Sequence, residues 1–539
     1  MKKIVRLTSL LLIGVMLVAF ALSGCSTKKE EPKPAEKTQA EEHESTQKVI
    51  AEKGEPLEIT ILNNYKMPEN APVKKKIEEA FNIRLKALSN HATTAAEQMQ
   101  ILSMKIAAGE IPDVFTLGGY DNLRKYAEQN VIAEMPIEKI KNNAPRLWAY
   151  MEKIDPDGVV FTNVKGKNYG MPTVWPLGAR SRTMAIRKDW LDKLRMKMPE
   201  TLDELEDVLT AFRNNDPDGN GKKDTYGMSF YDVTDAVPRF MSIYGAFGAH
   251  PQIFQVKNGQ LVYGSIIPEA KKALEVLNSW YKKELIDPSF FVDKYQVFSE
   301  KWASGKFGVI PDTWWWTASP ASKYFSGALH DPVVQANPNA VIERLAPPKG
   351  PNGDQGMAQM SVHQVIPVIV FGKQAEKDYS KAERYMQVLD ELQNTREWTV
   401  LIYYGDEGVT FKWNPDGTPQ YIPPYDKREN LDEYGCNGYF SWFPNYDIYD
   451  VAIGRDVKWL EEQRAKAIGP VDALKSYPLE ALIKFKPTLA PIEQKAYIGF
   501  ITGQRPLSEF DNFVKEWLDS GGKEVLEEAT RVYNERFRK

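Results

Sequence analysis

The sequence predicts an α/β fold built on a parallel sheet with helices on both faces, and three observations point to it. Leu57-Glu58-Ile59-Thr60-Ile61-Leu62 alternates like a half-buried strand, and Ile83 to Leu88 and Ile111-Pro112-Asp113-Val114-Phe115-Thr116-Leu117 are strand segments of the same kind. The stretches between them, Val73 to Phe81 and about Ala95 to Ala108, read as helices. Strands joined through helices of this length pair in parallel and carry the helices on their faces. The chain has 539 residues, 42% hydrophobic and 26% charged, so a core of useful size is assured and the class is water-soluble and globular. Length alone suggests about three units, a prior that large two-lobed folds break. With 69 Lys and Arg against 73 Asp and Glu there is no basic field, which argues against nucleic acid as a partner.

The elements follow in order. Lys2, Lys3 and Arg6 precede an apolar run from Leu10 to Leu22, the charged and apolar regions of a secretory signal. Leu22-Ser23-Gly24-Cys25 at its end resembles the lipobox of bacterial lipoproteins, in which the chain is cut before a lipidated Cys; residues 1–24 would be the signal peptide and Cys25 the anchor. A plain secretory signal with a chance Cys, or an uncleaved anchor helix, are the other readings. Once Cys25 is lipidated, Cys436 is the remaining thiol and no intrachain disulfide can form. Residues 25–55 are Lys- and Glu-rich, hold Pro32 and Pro34 and lack aromatics, the composition of a flexible tether at a membrane surface.

In the head, ligands of such a sheet sit outside the carboxyl ends of the strands, which points to Asn63, Asn64 and Tyr65 and to Gly118 through Asp121. Lys165 to Pro172 reads as a turn and a short extended segment, and Thr183 to Arg187 as a strand. Thr201 with Glu204 makes a capping box before a helix whose Leu202, Leu205, Leu209 and Phe212 share a face. Helices are expected at Pro268 to Lys283, Lys381 to Gln393 and Leu507 to Arg538, strand segments at Gly308 to Pro311 and Val362 to Phe371, and no internal repeat is present.

A set of stretches then resembles a known family, the extracellular solute-binding lipoproteins of bacterial ABC importers. The similarity is to its large branch, with lipoprotein LplA and the alginate-oligosaccharide-binding proteins. The stretches are Ile111 to Phe115, Gly170-Met171-Pro172, Ile186 to Leu194, Met198 to Glu204, Asp216 to Gly227 and Tyr404 to Gly408, in order across residues 57–535. The resemblance implies a two-lobed periplasmic-binding-protein-like fold of type 2, with parallel or mixed sheets, flanking helices and a hinge. Lobe 1 would take residues 56–178 and 350–400, and lobe 2 residues 179–349 and 401–539. It implies a monomer that captures an oligosaccharide and hands it to an ABC permease, with the lipid anchor holding it to the outer face of the cell membrane.

Two constellations could serve such a role. Asp216-Pro217-Asp218-Gly219-Asn220-Gly221-Lys222-Lys223-Asp224 places oxygen side chains at positions 1, 3, 5 and 9 and the Lys222 carbonyl at 7, the spacing of the first part of a calcium loop. It departs from an EF-hand at position 12, Gly227, and Thr225 stands where alginate-binding relatives carry an acid. Calcium in a structural role is the expectation, and an Asp/Asn/Gly turn without metal is the alternative. The second constellation is aromatic: Trp314-Trp315-Trp316, Trp175, Tyr65 and Tyr120, with Tyr403 and Trp442 later. Sugar rings stack an apolar face on Trp and Tyr, while Asp121, Arg180 and Arg182 supply acceptors and forked donors for hydroxyls. Three consecutive Trp cannot all face one way on an extended chain, so at least one is core.

Catalysis finds little support. The five histidines, His43, His91, His250, His330 and His363, form no metal pair, and no G-x-S-x-G elbow or P-loop is present. A surface carbohydrate-active hydrolase and a pheromone or adhesion lipoprotein are the rival readings, and phosphate-bearing, peptide or cofactor-like ligands stay open.

Overall fold

The computed structural model describes residues 54–62, 65–88, 95–233, 236–314, 317–318, 328–363, 368–436, 445–452 and 457–538. Cys25 and the expected signal and tether up to residue 53 lie outside these, as do Asn63, Asn64, Trp315, Trp316 and Trp442. Two four-stranded sheets organise the molecule. Their strands in chain order are β1 (Leu57–Leu62), β2 (Ile83–Ala87), β3 (Val114–Leu117), β4 (Arg182–Arg187), β5 (Tyr226–Met228), β6 (Phe307–Trp314), β7 (Ile342–Leu345) and β8 (Val368–Phe371).

The first sheet has the order β8-β3-β1-β2. β1 pairs in parallel with β2, Ile59 opposite Leu85, and with β3, Ile61 opposite Val114. β8 closes the edge antiparallel to β3, with Phe371 opposite Val114. Ile59, Ile61 and Leu62 are buried, as the alternation requires. The helix Pro72–Phe81 returns the chain to β2 and ends at Asn82, whose left-handed φ of 47° is one Asn tolerates. Asp113, just before β3, accepts from the Thr60 N–H at 2.9 Å, the Thr60 hydroxyl at 2.8 Å and Lys381 at 2.9 Å. Burial pushes this carboxyl up, but the hydrogen bonds outweigh it and hold it below the usual range. The Ile-Pro-Asp stretch is thus a staple that joins two strands to the helix Ser380–Asn394.

The second sheet has the order β7-β4-β6-β5. β4 is buried throughout and runs antiparallel to both neighbours, while β5 and β6 are parallel. The helix Leu202–Asn214 starts with the expected capping box and lays Leu205, Leu209 and Phe212 on the sheet. Gly308 permits that approach, since a Cβ there would lie 2.1 Å from the Phe212 ring and 2.9 Å from Trp190. The expected helix over 507–538 is broken: Phe510–Trp517 and Lys523–Val532 are separate, joined through Gly521 at φ 116°. A Cβ on Gly521 would meet the Phe485 ring at 2.3 Å, so the glycine serves both the turn and the packing.

Each sheet has its own apolar core. One gathers Leu62, Leu102, Phe115, Leu117, Leu123 and Val370; the other Trp190, Phe212, Trp280, Tyr497, Phe513 and Trp517. Among the described residues the chain passes between the two sheets three times. Trp175 N–H donates to Val362 O at 2.7 Å and Met360 N–H to Gly178 O at 3.1 Å, so the first two passages lie side by side. The third leaves the helix Tyr446–Ala452 and joins the second where Met357 N–H donates to Ile468 O at 2.9 Å and Gln359 N–H to Pro470 O at 2.8 Å. The expected boundary at 401 falls within the helix Arg396–Tyr404, and the ion pairs Lys76–Asp406 and Lys66–Glu433 tie residues 406 and 433 to elements beside the first sheet.

Candidate functional site

The carboxyl ends of β5, β6 and β7 face the same way as the start of antiparallel β4, and that edge receives the first passage from the other lobe. The β4–β6 register shifts between Ile310 and Thr313, an irregularity that spans Pro311 and Asp312. Arg182 Nη1 donates to Asp312 Oδ1 at 2.7 Å, and its guanidinium carbon lies 4.4 Å from the centre of the Trp314 ring. Trp175 meets Trp314 with ring centroids 5.7 Å apart at 60°, and its indole N–H donates to the Tyr446 hydroxyl at 3.1 Å. Both indoles are half-buried. Gln359 fixes the entry to β4: its Oε1 accepts from Ser181 N–H at 3.0 Å and Arg182 N–H at 2.9 Å, and its amide donates to Arg182 O at 3.1 Å.

Of the residues expected to bind ligand, the structure therefore brings Trp175, Arg182 and Trp314 together. Arg180 is exposed nearby in sequence and donates to Glu461 at 2.7 Å. At the other sheet, Tyr120 opens the helix Tyr120–Glu128 directly beyond β3, and its hydroxyl donates to Asn163 O at 2.8 Å. Burial, helped by the Glu480 charge, pushes that phenol up to about 12. Asp121 stands exposed in the same first turn. Tyr65 follows β1, and burial raises its phenol against the opposing charge of Arg428. Tyr403 belongs to an aromatic cluster with Tyr449, centroids 4.7 Å apart.

Sequence reasoning missed Asp312, Arg239, Tyr231 and Tyr446. Asp312 and Trp314 are two apart on one strand, and that period-2 spacing was the one available signal. Arg239 lies 3.7 Å from Asp312 through a contact distant in sequence, which no local pattern announces.

A second group sits where the passages meet. Asp155 accepts from His363 Nε2 at 2.9 Å and from Lys475 at 3.0 Å, while His363 Nδ1 faces Thr173 O at 3.0 Å. Burial pushes the Asp155 carboxyl up, yet His363 and Lys475 outweigh it and bring it down to about 2. His363 is a satisfied partner at the hinge, stacked on Phe161 with centroids 4.0 Å apart.

The Asp216–Asp224 loop forms a tight turn. Asp216 Oδ1 accepts the N–H groups of Gly219 and Asn220, and Oδ2 that of Gly221, each at 3.0 Å. Asn220 donates to Asp218 at 2.7 Å and Asp224 at 3.0 Å, and Lys306 pairs with Asp224 at 2.6 Å. Burial and the Asp216 contact push the Asp218 carboxyl up, as in sites where acids crowd. Hard oxygen donors suit calcium, but among the described residues no three His, Cys, Asp or Glu side chains are arranged to hold a metal as they stand. To fit the ion, the Asn220 amide must turn its oxygen inward and Lys306 must leave Asp224.

Two α/β lobes, three connecting passages and an aromatic edge between them define a two-lobed solute-binding protein. Residues 73–405 match the family model of bacterial extracellular solute-binding proteins, and the chain belongs to that family. It is 28% identical to lipoprotein LipO of Bacillus subtilis over 72% of this chain and 76% of that one. It is 23% identical to the polygalacturonan/rhamnogalacturonan-binding protein YtcQ of the same organism, over 88% and 91%. The structure of the S. pneumoniae ABC-transporter substrate-binding protein FusA in complex with kestose superposes with a TM-score of 0.66 at 19% identity, covering 89% of this chain and 99% of that one.

Proposed function

We propose that the chain captures an oligosaccharide between its lobes and delivers it to an ABC permease, as a monomer held on the outer face of the cell membrane by lipid on Cys25. The observation that carries this reading is the Trp175–Trp314 pair beside the Arg182–Asp312 ion pair at the strand ends between the lobes. The indoles offer apolar faces for sugar rings, and the Arg182 guanidinium, anchored on the buried Asp312 carboxylate, holds the Trp314 ring in place from behind. Trp175 lies on a passage and touches Tyr446 on one side and Trp314 on the other, so closing the lobes would alter the geometry of the stacking pair. Tyr65, Tyr120, Asp121 and Arg180 would line the rim, and Trp315 and Trp316 continue the same segment as Trp314. Relatives named for polygalacturonan binding and solved with kestose support a carbohydrate cargo.

In this reading the protein acts by binding and not as an enzyme, which its membership of the solute-binding family supports. Calcium would bind Asp216, Asp218, Asn220, Asp224 and the Lys222 carbonyl and stiffen the loop before β5; an EF-hand mutant of FusA supports such a loop in a relative. Lobe 1 would carry β1 to β3 and the segment from β8 through Tyr449, and lobe 2 the rest. A thermal-shift screen over oligosaccharides, repeated on Trp175→Ala and Trp314→Ala, tests the reading. A stabilising sugar is expected, with affinity down roughly tenfold or more in each variant while the fold survives. Unchanged affinity in both variants would place the site elsewhere.

A further inference from the structure

Four segments of the chain meet at one imidazole ring. His363 lies on the second passage with its side chain 2% exposed, and both of its ring nitrogens face oxygens. Nε2 lies 2.9 Å from Asp155 Oδ2, and Nδ1 lies 3.0 Å from Thr173 O on the first passage. A backbone carbonyl can only accept, and so can an ionised carboxylate. Asp155 stays ionised above about 2, so it brings no proton of its own to the contact. A neutral imidazole has a single N–H; whichever nitrogen kept it, the other would turn a lone pair toward an oxygen. Only the ring that carries both protons satisfies both neighbours. Phe161 stacks on it with centroids 4.0 Å apart at 23°, and an aromatic face favours a charged ring over a neutral one. The wall at Cε1 is apolar, since a Cβ on Gly158 would lie 3.0 Å from that atom and 2.8 Å from Met151 Sδ. Among the described residues the charged groups at the junction are Asp155, Lys475 and Asp157. Lys475, beyond the third passage, donates to Asp155 Oδ1 at 3.0 Å and leaves Oδ2 to the ring. Its charge opposes a second cation, but its side chain is 43% exposed and water screens it. Asp157 is exposed and offers Asp155 its backbone N–H at 3.2 Å.

We propose that His363 is a proton-operated latch: with both ring protons it ties the first passage, through Thr173, to Asp155, and loss of one releases the segment that carries Trp175. The inference rests on the proposed oligosaccharide function. The proton that leaves is the one on Nδ1, because the Asp155 carboxylate holds the N–H on Nε2 through a charge-assisted bond. It passes to water, and no other bond is broken. The Nδ1 lone pair then faces Thr173 O, two residues before Trp175, whose own N–H is bonded to Val362 O beside the ring. Thr173 and Trp175 on one passage are thus gripped by His363 and Val362 on the other, and the proton completes half of that grip. The arrangement that presents Trp175 to ligand therefore holds one proton more than the released one, so affinity is highest at low pH and falls as pH rises.

The test has two arms on the full chain. Nitrogen-15 spectra of the histidine rings, recorded from pH 5.5 to pH 8.5 without sugar, identify His363 by its absence in His363→Gln. Both of its ring nitrogens should be protonated at the acid end, with Nδ1 alone losing its proton as pH rises. Calorimetry with the oligosaccharide that most stabilises the protein should show affinity falling roughly threefold or more between pH 6 and pH 8, with proton uptake on binding at the higher pH. In His363→Gln that pH dependence should vanish, since the amide does not titrate. A ring with a single proton at pH 5.5, loss of the proton from Nε2 first, or the same pH dependence in His363→Gln would overturn the latch and leave the oligosaccharide reading in place. Binding of no oligosaccharide would take that reading down, and with it the coupling to Trp175. The spectra and the affinities of the unaltered chain at the two pH values decide the matter even if His363→Gln fails to fold.

Discussion

Glu493 lies in the middle of the helix Glu480–Thr502 and is 2% exposed, among the aromatic side chains that hold the C-terminal helices to the second lobe. Trp517 donates its indole N–H to Oε1 at 2.7 Å, and the Tyr263 hydroxyl lies 3.5 Å from Oε2. Burial pushes the carboxyl up to about 7, against hydrogen bonds that pull it down. An unfolded Glu titrates near 4.3. Below that value both states are protonated and the folded core is at full strength. As pH rises from about 4.3 to 7 the unfolded chain releases the proton while the folded one keeps it, so stability falls by about 1.4 kcal/mol per pH unit and levels off above 7. The total loss is on the order of 4 kcal/mol. Glu493→Gln keeps the shape and the acceptor for Trp517 but cannot ionise. In urea titrations followed by Trp fluorescence at pH 5, 6, 7 and 8, the variant should gain on the native chain by about 2–3 kcal/mol between pH 5 and pH 8. A stability difference that stays constant across that range would refute the reasoning, because no other group differs between the two chains.

Two further outcomes are expected. Chelating calcium should lower the melting temperature, by the equivalent of about 2.7 kcal/mol where the ion had exceeded its Kd a hundredfold, and Asp218→Ala should remove the dependence; identical melting with and without calcium would defeat the loop assignment. Cys25→Ser should release the protein from the membrane fraction or leave an unprocessed precursor, and normal lipid labelling of that variant would rule out the anchor.

The first lobe's sheet could be read because its first three strands and two helices follow one another, so alternation and spacing carry the topology. The edge strand shows in part: of the expected Val362 to Phe371, Val368–Phe371 pairs in the sheet, Val362 accepts from Trp175 and His363 turns to Asp155, while residues 364–367 lie outside the described residues. The break at Gly521 had a local signal, Ser520-Gly521-Gly522, that the surrounding helical pattern masked. In the cleft, Trp175 and Trp314 were visible as residue types, but what joins them was not. Arg182–Asp312 and Arg239–Asp312 are contacts between distant residues, and a sequence without aligned relatives carries no trace of such pairs.

The three passages between the lobes also set how the protein can be recombined. No cut in the chain separates one lobe from the other: the first sheet waits for β8, and the second lobe's core waits for Trp517 and its neighbours near the C-terminus. A half-length fragment therefore leaves both cores open. A chimera that takes its specificity-bearing lobe from a relative must exchange three junctions together, near Trp175, Gln359 and Gly469, and must carry Gln359 with the β4 backbone it clamps.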